Sequence, residues 1–154
     1  MTNAPKRLTP EEAADRLAIR ELIDAYAHHA DFREPEQQYG LYAEGGRTLV
    51  YLGSTDVEPQ VLTTAEEHLA GFDALSQYAA TTHLNGQSII RLDGDSATAE
   101  SYCLAHHLLE GGEGRTLIVM AIRYEDVLTR TPEGWRFAER RLVITWTDSR
   151  PSQP

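Results

Sequence analysis

The chain has 154 residues, 41% hydrophobic and 25% charged, the composition of a single globular domain long enough to bury about 68–70% of its unfolded surface. Fourteen Lys and Arg face 24 Asp and Glu, a formal charge of −10, so the summed field repels phosphate backbones and anionic lipid and argues against nucleic-acid or membrane binding. There is no apolar leader, no run near the roughly 18 apolar residues of a membrane span, and one cysteine, Cys103, expected as a small core residue; a cytoplasmic protein without disulfides is the expectation.

Residues 1–9 read as a flexible N-terminus, 10–148 as one domain and 149–154 as a flexible tail. Thr9, Pro10 and Glu12 supply an N-cap hydroxyl, a proline at the first helical position and a glutamate three residues after the cap, which together start a helix. Its apolar face consists of two rows, Ala14, Ala18, Leu22, Tyr26, Ala30 and Ile19, Ile23, Ala27. Continuing the second row reaches Asp31, an acid at the edge of the inward face. A short second helix is expected over residues 33–45, ended by Gly45 and Gly46, then a strand over 47–52 that carries Tyr51, with residues 60–63 as its partner. Thr63 and Thr64 open a helix to about Leu75. His68, following Glu66 and Glu67, reads as a surface residue.

The C-terminal half reads as a meander of four long strands, at roughly 81–92, 97–110, 115–130 and 135–147, separated by turn signals rich in glycine. Helices followed by a long coiled sheet define an α+β fold, a cone whose helices cover a concave, mostly antiparallel sheet and whose deep end encloses a pocket for a small molecule.

Candidate chemistry follows from alternation along these strands. His83, Asn85 and Gln87 share one face of the first, lining the pocket if that face is concave and solvated if it is convex. On the second strand Ala99, Ser101, Cys103, Ala105 and His107 form a face of small side chains that leaves room for a ligand. His107 is therefore favoured over His106 as pocket-lining. A histidine both takes and gives a proton near neutral pH, and a carboxylate beside it fixes its tautomer, so Asp31 and His83 form a dyad if the helix end crosses the sheet mouth. The competing reading has Asp31 as a turn residue and His83 as a satisfied core histidine. His28, His29 and Asp31 contain the residue types of an iron site, but neighbouring helical residues point about 100° apart, and no metal or cofactor is expected. Motifs for nucleotide binding, zinc hydrolysis and serine hydrolysis are absent from the sequence.

The stretch THLNGQSIIRLDGDSATAESYCLAHH at residues 82–107 resembles the histidine, I-x-L-D-G-D-x-A-x-x-E-x-Y, histidine pattern of SnoaL-like domains, in the superfamily of nuclear transport factor 2-like folds. RYED at 123–126 and GWRFAERR at 134–141 resemble the same family's ending, with Phe137 in place of its isoleucine. With the opening helix, the resemblance covers residues 10–148. It implies the same cone and, from relatives such as polyketide cyclases, scytalone dehydratase and bile-acid dehydratase, a cofactor-independent dehydratase, cyclase or isomerase acting on a hydrophobic, oxygenated polyketide-like or steroid-like molecule. On that resemblance Asp31 and His83 are the acid–histidine pair, Tyr26 a hydroxyl donor, and His107 the second pocket histidine. Arg140 matches the family arginine and Arg141 is its alternate; these two, with Asn85, His106 and Tyr51, are the expected substrate contacts. Residues 119–122 are apolar where scytalone dehydratase carries a serine and an asparagine, which argues against that particular substrate. A homodimer or homotrimer is expected. The alternative is a non-catalytic binding or assembly module similar to a dioxygenase β subunit, its cone filled and Asp31 bridged to Arg140.

Overall fold

Thr9 caps the first helix in both directions: its hydroxyl accepts the Glu12 amide at 3.1 Å and its own amide donates to the Glu12 carboxylate at 2.9 Å. The computed structural model describes residues 7–112 and 114–153, and in it this helix, α1, spans Pro10–Asp31. Its buried stripe is Ile19, Leu22, Ile23, Tyr26, Ala27 and Ala30. Ala14 and Ala18 are exposed, because each i+4 step advances about 40° around the helix and a row of five residues leaves the packed face.

The second helix, α2, is only Pro35–Tyr39, and β1 begins early, covering Tyr42–Leu52. Strand pairing overrides the expected helix here. The Phe137 amide donates to the Leu41 carbonyl at 3.0 Å, and Tyr42 is already in register with Phe137. Gly45 and Gly46 make a bulge inside β1 and do not terminate a helix. The register shifts between Tyr42 and Arg47, Gly45 takes φ +72°, and a Cβ on Gly46 would lie 2.8 Å from the Phe137 carbonyl oxygen.

β2 (Gln60–Leu62) pairs with β1; α3 (Ala65–Asp73) follows, capped by Thr64 and Glu67, and a 3-10 turn at Ala74–Gln77 leads to the meander. The meander is β3 (Ala80–Asp93), β4 (Ser96–Gly111), β5 (Gly114–Thr131) and β6 (Gly134–Ser152). The sheet order is β2-β1-β6-β5-β4-β3, antiparallel except for the β1–β6 pair. Residues 149–152, expected as flexible tail, continue β6 and pair along β5 as far as Arg115.

The expected face of β4 holds: Ala97, Ala99, Ser101, Cys103, Ala105 and His107 are buried under the helices, whereas Tyr102 and Leu104 are exposed on the other side. Register on β3 is interrupted by a bulge between Asn85 and Ser88, which turns Gln87 out to solvent and breaks the alternation that would have set it beside His83. No helix among the described residues is long and apolar enough to cross a membrane.

Candidate active site

Asp31 is the last residue of α1, and the sheet edge beside it is the start of β3. The Asp31 carboxylate accepts the His83 Nδ1 hydrogen bond at 2.7 Å and the Thr81 hydroxyl at 2.9 Å on Oδ1, and the His83 backbone amide at 2.9 Å on Oδ2. Three donors thus converge on one carboxylate. An ionised carboxylate only accepts, so the network assigns the imidazole hydrogen to Nδ1 and leaves the lone pair on Nε2. The backbone bond adds orientation: the same acid grips the strand and the ring it carries.

His83 lines an interior cavity of about 290 Å³ between the helices and the concave sheet face. Its walls are mostly apolar, with Phe72, Leu75, Met120, Ile122, Leu142 and Ile144 from α3, the 3-10 turn, β5 and β6. Polar lining groups include Tyr26, Gln38, Thr48, Tyr78 and His107, and no Asp, Glu, Lys or Arg is among the lining residues. With Nδ1 committed to Asp31, Nε2 is the His83 nitrogen left to meet a ligand.

His107 stands edge-on to His83, ring centroids 5.7 Å apart, and its buried Nδ1 has no protein partner. Burial, and secondarily the neighbouring His83, hold its pKa down at about 4, so its ring is neutral at physiological pH. Tyr26 is buried among Tyr42, Phe72, Tyr124 and Phe137, and burial raises its pKa despite the opposing pull of Arg140. It keeps its proton and is a neutral hydroxyl at the cavity wall.

Other expected contacts lie elsewhere. Arg140 is fully buried and sealed beneath the cavity wall, its guanidinium stacked on Tyr26, Tyr124 and Phe137 and its Nε 3.2 Å from Asp126. It does not line the cavity, because Tyr26 and Tyr124 cover it. Arg141 alternates to the outer face, where it pairs with Glu139 at 2.7 Å. Tyr51 packs with Leu49 and Val143 in a small separate cluster, since Thr48 and Val50 are the β1 residues that face inward. The Asn85 side chain bonds back to α1, at 2.9 Å to the Asp24 carboxylate and 3.3 Å to the Ile23 carbonyl, in an outer groove. His106 is on the outer face, and His107 is the histidine of the two that lines the cavity.

His68, expected at the surface, is fully buried: Nδ1 bonds to the Thr64 carbonyl at 2.9 Å and Nε2 to the Thr48 hydroxyl at 3.1 Å, among Tyr39, Tyr42 and Phe72. Its i,i+4 relation to Phe72 was the available signal, masked by the two glutamates before it. Five more lining or network residues escaped the sequence reading: Gln38 and Tyr78 sit on short or irregular segments that carry no periodicity, and Thr48, Thr81 and Tyr124 lie on long strands where alternation alone does not say which face is concave. Cys103 is buried as expected, and burial raises its thiol pKa to about 11. Among the described residues one group of possible metal ligands, His28, His29 and Glu34, has ligand atoms within 4.8 Å of one another. None of the three borders the cavity, and His29 is already bonded to Glu34 at 2.7 Å.

The helix-covered cone is shared with known proteins. Residues 11–141 match the model of the SnoaL-like domain, and the chain belongs to that family. An uncharacterized Mycobacterium tuberculosis protein is 27% identical over 142 residues, covering 86% of this chain and 87% of its own. The crystal structure of the Kribbella flavida protein Kfla4162 is similar with a TM-score of 0.72 at 25% identity, over 88% of this chain and 94% of that one. A Novosphingobium aromaticivorans protein named for scytalone dehydratase gives 0.77 at 20% identity, over 96% and 97% of the two chains. A hexachlorocyclohexane dehydrochlorinase from Novosphingobium barchaimii gives 0.72 at 16%, over 91% of each.

Proposed function

We propose that the chain is an acid–base lyase or isomerase acting on a neutral, largely apolar, oxygenated small molecule held in the cone. The observation that carries this is the pairing of His83 Nδ1 with Asp31 at 2.7 Å at the wall of an interior cavity, which leaves Nε2 as a base at the ligand. In this reading Nε2 takes a proton from carbon next to a carbonyl, and Asp31 stabilises the imidazolium that forms. The electron pair of the broken C–H bond moves to the carbonyl oxygen, where the Tyr26 hydroxyl or the neutral His107 ring donates a hydrogen bond. The enolate then either reforms the carbonyl and expels a β-hydroxyl, which takes the proton from the His83 imidazolium and leaves as water to give the alkene, or takes that proton back at another carbon, giving an isomer. Both outcomes use side chains alone.

A neutral substrate follows from the lining: an anion or cation inside a cavity without a charged side chain would lose its hydration with no counter-charge. The relatives named for scytalone dehydratase and for hexachlorocyclohexane dehydrochlorinase share the fold and suggest elimination as the reaction type. The competing reading, a non-catalytic binding or assembly module with a filled cone, expects Asp31 to bridge Arg140. Asp31 meets His83 instead, Arg140 meets Asp126, and the cone is hollow.

The test is solvent deuterium exchange followed by proton NMR, over a panel of neutral cyclic ketones with and without a β-hydroxyl. The wild-type protein should wash out α-protons or form alkene from a member of the panel, and His83→Ala should slow this by at least about 10²-fold. Exchange at wild-type rates in His83→Ala would overturn the assignment.

A further inference from the structure

Arg33 has φ +58°, the only positive φ at a non-glycine among the described residues. A Cβ is unfavourable in that left-handed conformation, and the position after a helix end is normally given to glycine or asparagine. The arginine side chain turns back over the end of α1. Nη1 donates to the Ala30 carbonyl at 2.8 Å, to the Asp31 carbonyl at 3.3 Å and to the Thr81 hydroxyl at 2.8 Å.

Guanidinium only donates, so the Thr81 oxygen must accept from Arg33. The single Thr81 hydrogen is then committed to Asp31 Oδ1, 2.9 Å away. Asp31 in turn holds the His83 ring through the same oxygen and the His83 amide through the other. Arg33 and Thr81 thus donate in series to the Asp31 oxygen that also accepts from the imidazole.

We propose that Arg33 is a positioning residue for the Asp31–His83 pair, and that the left-handed backbone at position 33 is retained because this side chain sets the direction of the Thr81 hydroxyl. With Arg33 absent, that hydroxyl is free to rotate away, the carboxylate loses a fixed donor, and Asp31 is held less firmly against the imidazole. The inference rests on reading His83 as the base. A plain helix cap is the competing role, and it needs only the two carbonyl contacts.

Histidine side-chain nitrogens in uniformly labelled protein report the tautomer directly and need no substrate. Arg33→Gly gives up cap bonds and relieves the backbone, so the fold is expected to persist, as a thermal melt would establish. The His83 Nδ1–H should exchange faster by at least about tenfold, the loss expected for one charge-assisted hydrogen bond. Thr81→Val should do the same with Arg33 in place, and Thr81→Ser should restore the wild-type spectrum. Wild-type His83 signals in folded Arg33→Gly, or no difference between Thr81→Val and Thr81→Ser, would reduce Arg33 to a cap. If Arg33→Gly does not fold, the Thr81 pair decides. Failure of the base assignment reads out separately, as undiminished turnover in His83→Ala.

Discussion

The Arg140 guanidinium carbon lies 3.8 Å from the ring centroid of Tyr124 and its Nε 3.2 Å from Asp126, whose carboxyl pKa is pushed up to about 7 by burial against the pull of the arginine, and none of this is open to solvent. The guanidinium faces three aromatic rings and bears up the tyrosines that wall the cavity, so the pair is a foundation for the site. Removing the arginine leaves the Asp126 carboxyl buried without its partner. Arg140→Met is expected to cost about 3–5 kcal/mol of stability, and Arg140→Met with Asp126→Leu to recover most of it, as urea unfolding would measure.

His107 sets a pH dependence with a definite sign. Its pKa falls from the ordinary 6.5 to about 4 on folding, so between these values the unfolded chain binds more protons than the native one. Stability from this residue is complete above pH 6.5 and is lost as pH falls toward 4, by up to about 3 kcal/mol. His107→Gln should flatten the change in urea midpoint between pH 4.5 and 7. An equal slope in the variant would mean that other groups dominate.

Asp31→Asn tests orientation apart from fold. An amide can donate to His83 Nδ1, which would move the ring hydrogen to Nε2 and occlude the lone pair facing the cavity. Turnover is expected to fall by about 10²–10⁴-fold while circular dichroism stays that of the wild type.

Gly46 is a steric test of the bulge in β1. The Cβ of an alanine would meet the Phe137 carbonyl at 2.8 Å and the Ala43 carbonyl at 2.9 Å, both backbone atoms that cannot step aside. Gly46→Ala should lower stability by about 1–3 kcal/mol in thermal or urea unfolding, whereas Gly94→Ala, in a turn where nothing lies within 4 Å, should show only the smaller strain of its positive φ.

The features legible in the sequence are those that periodicity and caps encode. The Thr9 capping box, the face of α1 that leads to Asp31, the four meander strands and the inward set on β4 ending at His107 were all readable, because each repeats along its element. What escaped depends on long-range register. Tyr42 is strand because Phe137 pairs with it, and Arg140 is buried because β6 brings it beneath Tyr26, relations separated by about a hundred residues of chain. Arg33 carries no pattern, and Thr81, two residues before His83 on the same strand face, shows its role only once the end of α1 meets the start of β3.

β6 lies between β1 and β5, although it is the last strand of the chain. A nascent polypeptide emerging from the ribosome can form α1 and curl the β3–β5 ribbon, but β1 and β2 have no sheet edge to join until residues 134–152 arrive. The cone therefore closes last, at its centre, and the hollow that holds His83 comes into being only after β6 has been made. Folding is governed by contacts between distant residues, a topology that assembles slowly and leaves the early strands dependent on late completion.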